Sequence, residues 1–139
     1  MAILARAEAV ELSAPLVAYW PGMTARDLKP AEAGLLMVRG QIGGDGAPFN
    51  LGEASVTRAV VELDDGTRGY GFTLGRDRGK ARAAAILDAL WQREDARDLV
   101  EHAVLQPVAA RIAAAKARTQ AETAATRVDF FTLVRGEPA

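Results

Sequence analysis

Gly52-Glu53-Ala54-Ser55-Val56-Thr57-Arg58-Ala59-Val60-Val61-Glu62-Leu63-Asp64-Asp65-Gly66-Thr67-Arg68-Gly69-Tyr70-Gly71-Phe72-Thr73-Leu74 decides the fold class. β-Branched and aromatic residues recur through 54–63 and 68–74, and Asp64-Asp65-Gly66 stands between them, so the stretch reads as two strands joined by a hairpin turn. Upstream, Leu35 to Ile42 reads as a third strand, with Leu36, Val38 and Ile42 on one face and Leu35, Met37, Arg39 and Gln41 on the other. The glycine-rich loop from Gly43 to Leu51 joins it to the hairpin. Three antiparallel strands are the minimum sheet; a short strand over Ala25 to Lys29, followed by a turn at Pro30 to Gly34, would add a fourth.

Helices surround this block. Ile3, Leu4, Ala7 and Val10 recur at helical spacing from Met1 to about Leu12, and Ser13 is placed to cap a second short helix over Pro15 to Trp20, which Pro21-Gly22 stops. After the hairpin, Asp77 reads as the N-cap of a helix whose Ala83, Ile86, Leu87, Leu90 and Trp91 form one apolar stripe to cover the sheet. The charged stretch Arg93 to Glu101 reads as a solvated helix end or loop. From Pro107 to Thr126 the chain is dominated by alanine, with Val108 and Ile112 as its only large aliphatics. Such a helix buries little by itself and needs close neighbours or a partner. The expected architecture is a single α+β domain over 1–139: an antiparallel sheet of three or four strands flanked by helices, with an N-terminal helical pair and a long Ala-rich C-terminal helix followed by an aromatic tail.

Composition narrows the chemistry. Seventeen basic against eighteen acidic residues leave a net charge of −1, a balance that does not favour nucleic acid or an acidic membrane surface. No cysteine is present, which removes disulfides, thiolate nucleophiles and thiolate metal sites; with His102 as the single histidine, a two-histidine metal site is excluded as well. No apolar run reaches the roughly 18 residues of a membrane span. The opening segment places Glu8 and Glu11 inside its apolar pattern, unlike a signal peptide, so a cytoplasmic location is expected.

Few side-chain constellations carry chemistry. Gly75-Arg76-Asp77-Arg78-Gly79-Lys80 follows a strand and opens a helix, but it is one residue short of the P-loop spacing and has Ala81 where a magnesium-binding Ser or Thr would stand. What survives is a helix start with cationic neighbours, where Arg76, Asp77 and Arg78 are candidates for contact with a phosphate or a partner carboxylate. Arg58, in mid-strand, either meets Glu62 on a wet sheet face or reaches another molecule, and is a candidate of the same kind. Trp20, Tyr70, Phe72 and Trp91 read as core anchors. In the tail Arg127 to Gly136, Phe130, Phe131, Leu133 and Val134 must be buried, on this chain's own sheet or in a groove of another protein. Thr57, Arg127, Asp129, Phe130 and Phe131 are the candidate subunit-interface residues, and no catalytic or metal-binding residue is identified.

Together, GGDG, GEASVTRAVVEL, DDGT, GYGF, GRD, ILDALW and TRVDFFTLVRG resemble the PhnG family, the G subunits of the bacterial carbon–phosphorus lyase core complex. The resemblance is good over 34–139 and loose over 1–33. Its pattern matches fall on Gly43, Gly44, Gly46, Thr57, Arg58, Gly66, Gly69, Tyr70, Gly75, Arg76, Asp77, Arg127, Asp129, Phe130 and Phe131. Family members run several residues further upstream with an Arg- and Trp-containing lead, so a shortened start or an internal Met1 is expected.

The resemblance implies a cytoplasmic subunit of a phosphonate-degrading complex, associated most directly with the I subunit and also with H, J and L. It implies a role, with H, I and L, in displacing the adenine of ATP by methylphosphonate to give α-D-ribose 1-methylphosphonate 5-triphosphate. No family motif marks a catalytic residue or a cofactor on this chain, which places the chemistry on the partner I subunit. Two other readings remain open from the residues: an independent domain binding a phosphorylated metabolite through Arg58, Arg76 and Arg78, and a structural homodimer joined by the Ala-rich helix and the phenylalanine tail.

Overall fold

A computed structural model describes residues 1–42 and 46–126. Helices α1 (Ala2–Arg6) and α2 (Ala9–Tyr19) lead into strands β1 (Ala25–Gly40), β2 (Phe49–Leu63) and β3 (Arg68–Leu74), followed by helices α3 (Arg78–Gln92), α4 (Glu94–Val100) and α5 (Gln106–Ala125). The sheet is antiparallel with order β1-β2-β3, so the α+β architecture with three strands holds.

The helical pair at the N-terminus is present, but its break lies elsewhere than Ser13. Ala7 is extended (φ −68°, ψ 156°), and the backbone N–H of Glu8 donates to the Glu11 carboxylate at 2.7 Å, which closes the start of α2 at that point. Pro15 therefore sits inside α2 rather than at a helix start. The expected short strand, turn and third strand over 25–42 are instead one 16-residue strand. Pro30 falls where the β1–β2 register shifts, between Asp27 and Glu32, and because β1 is an edge strand the missing N–H breaks no inner ladder.

The helix predicted from Asp77 is α3, and it lies close on the sheet because both surfaces are small. A Cβ added to Gly69 would stand 1.9 Å from the Ala85 carbonyl oxygen, and one added to Gly71 would stand 1.9 Å from that of Ala81. The glycines of Gly69-Tyr70-Gly71 are thus strand residues over which Ala81, Ala85 and Ala89 pack, rather than turn punctuation. Leu4, Leu12, Val61, Leu63, Ile86, Leu87 and Leu90 complete the core with Val100, Val104 and Val108 from the last helices.

The charged segment 93–101 is helical, and a π-helical turn over Glu101–Leu105 runs it into α5. Pro107 stands in the first turn of α5, in keeping with the helix start expected there, directly after that π-helical turn. As expected of its alanines, α5 buries Val108, half-buries Ile112 and leaves most of its later residues exposed. The aromatic anchors are less buried than their type suggests. Trp20 and Phe72 are half-buried, Tyr70 is exposed, and Trp91 lies at the surface, donating Nε1–H to Glu101 at 2.6 Å with the Arg97 guanidinium 5.3 Å from its ring centroid.

Candidate functional site

The turn from β3 into α3 is tightly built. Gly75 takes φ +90°, its N–H donates to the Ser55 carbonyl at 2.8 Å, and its own carbonyl accepts the Thr57 hydroxyl at 2.8 Å. Thr57 is fully buried, and its side chain is engaged inside the fold. Asp77 accepts the Lys80 N–H at 2.9 Å and caps α3. On either side of that cap Arg76 and Arg78 are exposed, and neither makes an ion pair among the described residues. They line a concavity of about 520 Å³ whose other wall is Ala33, Gly34 and Leu35 of β1.

Arg58 is not part of that wall. It stands on β2 between Glu32 of β1 and Phe72 of β3, exposed on the sheet face opposite α3. Of the two readings for Arg58, the contact with Glu62 does not form among the described residues: Glu62 is held from both sides, by Arg26 and by Arg68 at 3.0 Å, which lower its pKa below the usual carboxylate range. Arg127, Asp129, Phe130 and Phe131 lie outside the described residues, as do Gly43 and Gly44. Among the described residues no group of three His, Cys, Asp or Glu side chains is placed to hold a metal ion, and the His102 ring pairs through Nδ1 with the Asp98 carbonyl at 2.7 Å.

The largest unassigned feature is the outer part of the sheet. β3 pairs with β2 only from Val56 to Glu62, so Phe49–Ser55 and the facing Leu35–Gly40 form a two-stranded arm extending roughly 20 Å beyond the third strand. Leu35, Leu36, Met37, Val38, Phe49 and Leu51 are between 39% and 63% exposed, although they include both faces of the ribbon. The signal was in the run Leu35-Leu36-Met37-Val38, which has no polar alternation although the rest of the sheet is covered by helices on one face only. The arm's root, at Ala33 to Leu35, is also the wall of the Arg76–Arg78 concavity.

These features define a small α+β protein whose sheet has one finished face and an apolar strand pair left open, with no converging acid–base or metal constellation among the described residues. Residues 1–136 match the family described as phosphonate metabolism protein PhnG, and the chain belongs to that family. It is 53% identical over 137 residues, covering 99% of this chain and 87% of the relative, to the α-D-ribose 1-methylphosphonate 5-triphosphate synthase subunit PhnG of Rhizobium meliloti (strain 1021). No helix among the described residues is long and apolar enough to cross a membrane.

Proposed function

We propose that this chain is a subunit of an α-D-ribose 1-methylphosphonate 5-triphosphate synthase, acting in phosphonate breakdown in the cytoplasm. The observation that carries the reading is 53% identity sustained over 99% of the chain to a protein bearing that name. The described residues offer exposed cations and apolar surface, which suit a chain that shapes and holds while another subunit carries out the transfer. Its partners are the I subunit most directly, with H, J and L, and it carries no cofactor itself. The reaction is a transferase step in which methylphosphonate displaces adenine from ATP at the ribose.

Arg76 and Arg78 are the proposed anion contacts, because among the described residues they make no ion pair and they flank a capped helix start. Arg58 belongs to a separate contact on the open sheet face. The reading is tested by reconstituting the synthase from its separately purified subunits with ATP and methylphosphonate. Omitting this chain is expected to abolish adenine release; full adenine release in its absence would overturn the proposal.

A further inference from the structure

The arm, Gly34–Gly40 of β1 with Phe49–Ser55 of β2, is physically incomplete. A two-stranded ribbon is at best marginally stable in water, and among the described residues this one has exposed apolar side chains on both faces and two strand edges without partners. Edge strands of soluble proteins are ordinarily blunted by charge or proline, yet Gly34 to Val38 contains neither. Its six exposed apolar side chains offer on the order of 600 Å² before the backbone edge is added, approaching the roughly 800 Å² that one partner contributes to a standard interface.

Charge distinguishes the occupants. An antiparallel pairing of two β1 edges about the middle of the arm would bring Arg39, at the tip of one copy, toward Arg76 and Arg78 at the root of the other. That places cations against cations, so a second copy fits poorly. An unlike chain with an apolar cleft and carboxylates at its rim satisfies the strand edges, the apolar faces and the two unpaired arginines together.

We infer that the arm is the docking element of this subunit: it inserts into an apolar cleft of an unlike subunit of the synthase, whose acidic rim meets Arg76 and Arg78 at the arm's root. The inference rests on the subunit reading above and adds the surface and the chemistry of its partner. Arm insertion binds by strand pairing and apolar burial, and the arginines set its depth and register.

The test uses the co-expressed complex. Hydrogen exchange in the assembled wild-type complex is expected to be slowed at least about 100-fold at the free-edge amides of 34–40 and 49–55, relative to the same amides in the separated chain. Unchanged exchange there, with protection confined to α5 or to the open face around Arg58, would overturn the inference while leaving the subunit reading intact. Leu36→Glu with Val38→Glu is expected to abolish co-purification while the melting temperature of the separated chain stays within about 3 °C of wild type; retained co-purification would overturn it. Arg76→Glu with Arg78→Glu is expected to weaken association at least about tenfold, with recovery when acidic residues on the receiving subunit are changed to lysine. Loss of adenine release without loss of association in that variant would show a substrate contact instead and overturn the acidic-rim assignment. A separated wild-type chain that is a dimer, and becomes a monomer with the arm variant, would show that a second copy is the occupant. Failure of the wild-type chain to associate with any synthase subunit would sink the subunit reading itself.

Discussion

Strand β2 passes through two environments within 15 residues. From Val56 to Leu63 it is flanked by strands on both sides and covered by α3, and Thr57, Ala59, Val61 and Leu63 are buried; from Phe49 to Glu53 it has, among the described residues, one neighbouring strand and no cover, and every residue is exposed. The inner half is rich in β-branched residues, whereas the outer half sets Phe49 and Leu51 beside Asn50, Gly52 and Glu53. What separates them is a second layer, which among the described residues covers the inner half alone. Burial therefore makes the inner half the source of stability, and exposure makes the outer half available for contact.

Substitutions can break this comparison, and the largest effect is expected at the closest approach. Gly71→Ala should destabilise the fold by more than about 3 kcal/mol in chemical denaturation, because the new methyl would meet the Ala81 carbonyl of α3 and neither backbone can move freely. Gly34→Ala in the arm, where nothing lies within 4 Å, should leave stability within about 1 kcal/mol of wild type. Equal losses at the two sites would remove the distinction between body and arm.

Leu90→Ala comes next, with an expected loss of about 2–5 kcal/mol from a fully buried position on α3. Leu36→Ala, on the exposed ribbon, should change the stability of the separated chain by less than about 0.5 kcal/mol. Asp77→Ala removes the cap from α3 and should cost about 1 kcal/mol, read as a lower denaturation midpoint at unchanged slope.

The smallest effect is a pH dependence that ties the first and last parts of the chain. Arg111 donates to Glu11 at 2.6 and 2.9 Å, and this pairing holds the Glu11 pKa below its ordinary value of 4.5. A carboxylate depressed in the folded state stabilises above its unfolded pKa, and the stabilisation is lost as pH falls through the folded value. Wild type should therefore be more stable than Glu11→Gln near neutral pH, and the gap should close as pH falls below about 4.5. A gap independent of pH would show that the pairing contributes nothing to folding.

Much of the body was legible in the residues. Asp64-Asp65-Gly66 specified the hairpin, Asp77 with the Ala83–Ile86–Leu87–Leu90 stripe specified α3 and its buried face, and the alanines of α5 predicted its shallow burial. Boundaries failed where local signals competed with packing. Ser13 has capping chemistry, but the Glu8–Glu11 interaction and the extended Ala7 end the first helix earlier; Pro30 has turn chemistry, but an edge strand with a shifted register accommodates it. At the candidate site the Arg76-Asp77-Arg78 turn was legible as a helix start with cations. That Thr57 serves this turn from within was not, because a hydroxyl's partner is set by strand pairing across the hairpin.

By itself, the sequence determined the order of strands and helices, the absence of thiol chemistry and the family, since periodicity, turn residues and motif spacing are local properties of a chain. Only the tertiary structure decided that Gly69 and Gly71 admit α3, that Arg58 lies apart from Arg76 and Arg78, and that the Leu35–Val38 run is left open. Each of these depends on which of the described surfaces pack against one another, and packing is a property of the three-dimensional fold.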